Sequence, residues 1–526
     1  MAYGESPEET DRKKLQALIA RKIEDARKKR QERAPLINET YRLTAPWRRR
    51  VQSSATAPTT DPALSEDDIS DMVDMTMGET QSDFASDMIA QFTPDSEPWT
   101  TMKIKEDVPA ELKSQAAALV KMTEDKIFTA LRESSYYDAA PQCFQELGNG
   151  TMALRARRPE RGGDPFEFEP IEPADLLLCH SVTRGVADGR FTEAKIPFEE
   201  FKTIYGKFAK LPADKPKPRN EDEVMVVDGF YRCWENPRGD RAWRRCVMLN
   251  GDLVYETYLS DDPDVDIIVS RWECNGKSAW GVGPAFRAQP AQRALNELTA
   301  ILMVAAGKHA DTPGFYTDDG IANLEQGFDA GDMIPVGENF KVHWWEPGGQ
   351  LDISFFTESN LREMIRHAYF QDKPEQKGKT PPTATQWSEL DVRSRQRWEI
   401  PRGKIVREWV LPIVLWTKNS LERTNQLGPY KIDARLFTIL PNSPFAKARQ
   451  QEKVVRGQQL LSTFSAMSPQ TFPIDVDIGA TMAKFKGELN DDLVVIRPAK
   501  EKQQLLAAAA AAQGGQPPQG PQNGQQ

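Results

Sequence analysis

Histidine and cysteine are scarce in this chain of 526 residues, with four of the first and five of the second. The histidines (His180, His309, His343 and His367) are far apart and form no HxH or HExxH pattern. A histidine-based metal centre or catalytic triad is therefore not indicated. The cysteines (Cys143, Cys179, Cys233, Cys246 and Cys274) are odd in number and contain no CxxC pair, so neither a disulfide framework nor a zinc knuckle is expected, and a reducing compartment fits. Cys179 and His180 are neighbours, but adjacent residues on a strand point to opposite faces and make a poor dyad.

Long apolar runs are missing too. The longest, around Leu298 to Ala306, falls far short of the ~20 residues that a membrane span needs, and the N-terminal residues are charged where a signal peptide is apolar. No targeting or transmembrane segment is expected, and no membrane partner. There is also no basic excess: 68 Lys and Arg stand against 78 Asp and Glu, a formal charge of -10, which disfavours a dedicated duplex-binding module. Phosphate-binding loops fail in detail. Gly276-Lys277-Ser278 has Arg271 where the loop needs its first glycine, and Gly281-Val282-Gly283 has Phe286 where a dinucleotide site needs its third.

What is present is polar and segmented. Charged residues make up 28% and hydrophobic ones 39%, with a mean hydropathy of -0.60, and the length exceeds the ~250 to 300 residues at which single cores stop growing. More than one domain is expected. Ser6-Pro7-Glu8-Glu9 reads as a capping box opening a helix with Leu15, Leu18, Ile19, Ile23 and Ala26 on one face. Its end is basic (Arg27, Lys28, Lys29, Arg30, Arg33), which fits cations on a solvated face near a helix C-terminus, with a break expected at Pro35 and Pro46. Helical patterns recur near 69–92 and 111–131. Short apolar runs such as Val224 to Val227 and Val254 to Leu259, separated by Asn, Gly, Pro and Asp, predict a small β-rich part at about 166–260.

After Pro290, Leu295, Leu298, Leu302 and Ala305 follow helical spacing, then a turn-rich insertion leads to a shorter helix marked by Leu361, Met364, Ile365 and Ala368. Lys373-Pro-Glu-Gln-Lys-Gly-Lys379 cannot be regular structure. Thr383 with Gln386 caps a long helix that Pro401 and Pro412 kink. Ser443-Pro444 starts another, and 477–489 predicts one more. The Gln/Gly/Pro stretch after Ala507 to Ala512 cannot bury enough apolar area to fold. Trp387, Trp398, Trp409 and Trp416, at helical spacings, read as packing residues. The acidic group Glu66, Asp67, Asp68, Asp71 and Asp74 fits a helix N-terminus, with a Mg2+ site of a nuclease or phosphohydrolase as its rival.

Several ordered segments resemble the head-to-tail connector, or portal, family of short-tailed bacteriophages, from about Leu15 to Gln504. These are Asp74-Met-Thr, Ala85 to Pro94 with Pro98-Trp99, Leu147-Gly-Asn-Gly150, Pro173 to Leu178 with Gly185 to Asp188, Arg271-Trp272, Trp280-Gly-Val-Gly-Pro284 with Leu295-Asn296, Pro382 to Thr385, and Glu408 with Leu411-Pro412. Trp280, Val282 and Gln386 depart from the commoner Tyr, Arg and Glu. The resemblance implies an α+β, mainly α, fold assembled as a ring, usually of twelve, and no enzyme, cofactor, metal or catalytic residue. It implies a wing region over 1–288, a first stem helix at 289–310, a clip at 311–352 and a second stem helix at 353–370. A channel loop at 371–382, a kinked wing helix at 383–430, a crown at 431–504 and a tail at 505–526 complete it.

On that reading Lys373, Lys377 and Lys379 face DNA, and Trp344 and Trp345 make clip contacts. The implied partners are further copies of the chain, major capsid and scaffolding proteins, the terminase large subunit, tail adaptor or tail tube proteins, and double-stranded DNA in transit. The implied place is the capsid vertex of the virion, reached from the host cytoplasm. The rival readings are the metal-dependent nuclease or phosphohydrolase and a non-ring adaptor gripping nucleic acid through its basic N-terminal helix.

Overall fold

The computed structural model describes residues 9–51, 72–104, 110–159, 164–179, 187–212, 216–233, 242–259, 264–274, 278–310, 314–317, 333–336, 351–371, 401–427, 437–442, 444–467, 480–482 and 484–485. The chain divides into two compact units, Met1–Pro441 and Asn442–Gln526. Helix and sheet are mixed in an α+β arrangement.

The first unit opens with α1 (Glu9–Thr44), followed by α2 (Thr76–Phe92), β1 (Thr100–Ile104), α3 (Ala110–Glu133) and α4 (Tyr136–Leu147). Then come β2 (Thr151–Arg157), β3 (Glu167–Pro170), β4 (Leu176–Cys179), β5 (Gly189–Pro197), α5 (Phe198–Tyr205), β6 (Glu223–Arg232), β7 (Trp243–Leu249), β8 (Asp252–Leu259) and β9 (Ile267–Arg271). Next are α6 (Pro284–Ala310), β10 (Gly314–Thr317), β11 (Met333–Val336) and α7 (Leu351–Ala368). A helical turn at 401–405 runs into a π turn (Val406–Val410) and α8 (Leu411–Arg423), and β12 (Phe437–Pro441) closes the unit by pairing antiparallel with β1.

Strands β4 to β8 form a five-stranded antiparallel meander. Its β7–β8 hairpin turns on Asn250-Gly251, both at positive φ (48° and 89°), the backbone that suits the right-handed twist of the flanking strands. Both faces are covered, which explains why β6 is buried almost throughout instead of alternating. Ile19, Ile23 and Ala26 of α1 lie on Leu177, Phe191 and Val227, while Phe198, Phe201 and Tyr205 of α5 lie on Val224, Val226 and Val247. A second sheet, in the order β3-β2-β9, joins the main helical core built from α2, α3, α4, α6 and α8.

Two proline expectations fail. Helix α1 continues through Pro35 to Thr44, because Ala34, Ile37 and Tyr41 stay buried while the proline ring faces solvent. Helix α6 begins at Pro284, six residues before Pro290, because proline suits the first helical position and Ala285 and Ala288 are already buried. The kink expected near Pro412 takes the form of the π turn. In the second unit α9 (Pro444–Met467) has Pro444 at its first position, residues 480–482 are helical, and Gly457 faces the Phe485 ring.

The glycines of the two turns that resemble family motifs meet. A methyl group on Gly281 would overlap the Gly150 carbonyl oxygen, and one on Gly283 the Gly148 carbonyl oxygen, while Gly150 itself sits at φ +101°. Gly281→Ala should cost at least ~3 kcal/mol of stability, since backbone cannot retreat as a side chain can. Gly307, in α6 with nothing within 4 Å of its added methyl, should instead gain up to about 1 kcal/mol as alanine. Denaturant midpoints of the two variants, moving in opposite directions, check this.

Candidate functional site

Around that glycine contact the chain gathers its other motif residues. The Gly150 carbonyl accepts from the Trp272 amide at 2.9 Å, the Thr151 hydroxyl accepts from the Gly281 amide at 2.8 Å, and the Gly148 carbonyl accepts from the Ala285 amide at 3.0 Å. Beside them Arg271, 1% exposed, pairs with Glu408 of the π turn: its terminal nitrogen lies 2.6 Å from Oε1 and its backbone amide donates to Oε2 at 3.0 Å. Burial opposes the guanidinium charge, but Glu408 outweighs it and holds the Arg271 pKa above its ordinary value. One carboxylate thus ends a strand and fixes a helix.

The second cluster ties the start of α2 to α6 and α7. Asp74, one residue before the N-cap Met75, accepts from the Thr76 amide that opens α2 at 2.8 Å and pairs with Arg362 of α7 at 2.9 Å, while Arg362 also holds Glu358 at 2.5 Å. Asn296 accepts from the Asp74 amide at 3.0 Å. Gln292, fully buried one turn earlier, donates to the Asp74 carbonyl at 2.7 Å and accepts from the Met77 amide at 3.2 Å. Gln289 donates to the Leu36 carbonyl and the Thr40 hydroxyl of α1 at 2.8 and 2.7 Å. One face of α6 therefore reads the backbone of two other helices.

Of the sequence candidates, Lys373, Lys377, Lys379, Trp344 and Trp345 lie outside the described residues, as do Glu66, Asp67, Asp68, Asp71, Gly276 and Lys277. Asp74 serves the first amide of α2 and an ion pair with Arg362. Among the described residues no group of three His, Cys, Asp or Glu could hold a metal ion. The basic run of α1 needs correcting: it lies mid-helix, and part of it turns inward. Arg27 and Arg30 grip Glu193 of β5 at 2.5 and 3.1 Å, with Arg30 only 3% exposed, and Arg33 reaches the Ser278 hydroxyl at 3.3 Å. Trp409 and Trp416 are buried, their indoles donating to the Tyr136 hydroxyl (3.1 Å) and to Asp266 (3.0 Å). Sequence reading missed Gln289, Gln292 and Arg362. The available signal was the glutamine spacing of three among apolar residues of one helix.

The family model described as bacteriophage head to tail connecting protein matches residues 16–490. The chain belongs to this family. Among solved structures, a chain from the virion of a native gene transfer agent (GTA) particle is 13% identical to this head-to-tail connecting protein, covering 77% of it and 93% of its own length, with a TM-score of 0.31. A chain from the neck of an empty GTA particle, computed with C6 symmetry, is also 13% identical, covering 72% and 85%, with a TM-score of 0.28. No curated protein matches the connecting protein.

The Asp74 cluster makes a pH prediction for this connecting protein. Burial raises the Asp74 pKa, but hydrogen bonds from Thr76 and Arg362 and the charge of Arg362 outweigh it, so the carboxyl titrates below its ordinary range. A depressed carboxyl contributes stability above its unfolded pKa, and that contribution is lost as pH falls through the lower folded value. Asp74→Asn should lower stability by about 1 to 3 kcal/mol at pH 7 and by progressively less below pH ~4, as urea midpoints across pH would record.

Proposed function

We propose that this connecting protein is the portal subunit of a short-tailed bacteriophage, one copy of a ring, usually of twelve, that joins capsid to tail and conducts DNA. The observation that supports this most is on α6. Between Glu297 and Lys308 the helix carries no charged residue, and Ile301, Met303 and Val304 are 65%, 60% and 59% exposed. A helix apolar on every side belongs in an interior. Among the described residues α7 packs on this part of α6 and leaves these side chains exposed, and in this reading a neighbouring subunit supplies the rest of the cover.

In this reading α6 and α7 are stem helices around the channel, residues 311–352 are the clip that meets tail adaptors, with Trp344 and Trp345 as contacts, and residues 431–504 belong to the crown. Major capsid and scaffolding proteins are the chain's partners in assembly, and the terminase, a separate ATPase, docks on the ring and moves the DNA. Lys373, Lys377 and Lys379 of the 371–382 loop touch passing phosphates. Exposed lysine-phosphate contacts are screened by salt and exchange readily, so a ring of them retards back-slippage without stopping translocation.

Native mass spectrometry and negative-stain images should show a ring with a central hole. Ile301→Asp with Val304→Asp should return the ring to monomer with unchanged circular dichroism; rings from that variant, or a wild type that stays monomeric at every concentration, overturn the reading. Replacing Lys373, Lys377 and Lys379 together with Ala should leave rings intact and reduce the yield of stably DNA-filled particles severalfold. Normal filled particles would remove the phosphate role.

A further inference from the structure

The π turn at Val406–Val410 stores one residue more than an α-helix would use. Its wide bond runs from the Leu411 amide to the Val406 carbonyl, five residues back, and Pro412 follows directly. Downstream, α8 is fixed by buried Ile413, Val414, Trp416 and Leu421. Upstream, the 401–405 turn borders open space: a cavity of about 840 Å³ is lined by Glu273, Arg287, Met364, His367, Phe370 and Pro401. We propose that this turn is a conformational device, a one-residue register reserve latched by the Arg271–Glu408 pair.

The mechanics follow from helix geometry. If the wide turn relaxes to α while α8 stays in place, every residue before it advances by one position, a rotation of ~100° and a rise of ~1.5 Å. The site of Ile405, fully buried in the helical core, is then taken by Val406, already packed against the same core. A β-branched side chain replaces another there, so the core position stays filled; Ile405 moves to the half-buried position of Lys404, and the turn beginning at Pro401 shifts along the cavity that it lines. Glu408 lies midway through the wide turn and would swing away from Arg271. Taking the carboxylate away from a buried guanidinium is costly, so the pair holds the wide form. Single wide turns of this kind recur at functional positions in helices.

Hydrogen exchange with mass spectrometry on the full chain tests the device without reference to ring assembly or DNA. In the wild type, amides 406–411 should exchange at least tenfold faster than amides 414–421, because the register exchange opens the wide turn and not α8. Deleting Arg407, an exposed residue of the turn, removes the stored residue while leaving both flanks in register, and should slow exchange over 406–411 at least tenfold. Glu408→Gln should accelerate it at least fivefold with α8 unchanged. A deletion variant that folds yet exchanges as the wild type does overturns the proposal. Should the deletion not fold, a Glu408→Gln variant within twofold of wild type overturns it instead.

Discussion

Gly150, Gly281 and Gly283 lie so close to the facing backbone that none of the three has room for a side chain, and much of the first unit follows from that contact. The first turn joins α4 to β2, and the second precedes α6. Pressing one on the other sets α6 beside the β2–β9 pair, with the Ala285 amide bonded to the Gly148 carbonyl. The Trp272 amide bonds to Gly150, which directs Trp272 into the helical core, where it meets Phe84 edge-on at 5.3 Å. The family resemblance of both glycine turns thus has a steric cause, backbone packed on backbone, and no phosphate needs to be invoked for either.

Charge supplies the other ties. Asp228, buried in the five-stranded sheet, meets Arg245 and Arg155 and accepts from the Tyr205 hydroxyl; Arg245 continues to Asp266, which also meets Arg158 and the Trp416 indole. Asp264 then holds Asn419 and Arg423 of α8 at 2.6 and 2.5 Å. Burial raises the pKa of Asp228, but its two arginines outweigh this and hold it low. At Asp266 burial wins and the pKa is raised. A chain of alternating charges therefore connects the sheet to the helix that carries the π turn. Removing one member would leave another buried and unpaired, which is the costly way to break such a pair.

The sequence made elements legible where one periodicity dominated. The α6 and α7 patterns, the strand runs around Val224 and Val254, and Pro444 as a helix start were readable because local spacing and caps decide them. Pro35 and Pro290 were misread because tertiary burial of their neighbours outweighs the local cost of a missing amide. Strand β1, Thr100–Ile104, passed unnoticed, since its partner β12 lies more than 300 residues away and pairing at that separation leaves no local trace. The inward turn of Arg27 and Arg30 was hidden for a related reason: a cation cluster looks solvated until its carboxylate, Glu193 on a distant strand, is known.

The Asp74 cluster was half visible. Asp74 and Asn296 belonged to motifs that could be quoted, whereas Arg362 and Gln292 did not, yet the geometry needs all four to hold two long helices against the end of α2. Below this polar clamp α6 is fixed by Gln289, Gln292 and Leu295; beyond it, from Leu298 to Ala306, the same helix carries no charge and exposes Ile301, Met303 and Val304. The change of character within one continuous helix is itself informative. A segment meant for solvent would carry charge on its outer face, and one meant only for its own core would end where the core ends. A helix anchored by amides at one end and apolar at the other therefore has two roles in one continuous element: its first half is fixed by hydrogen bonds to α1 and to the start of α2, and that fixed half positions an apolar second half that the described residues cover only in part.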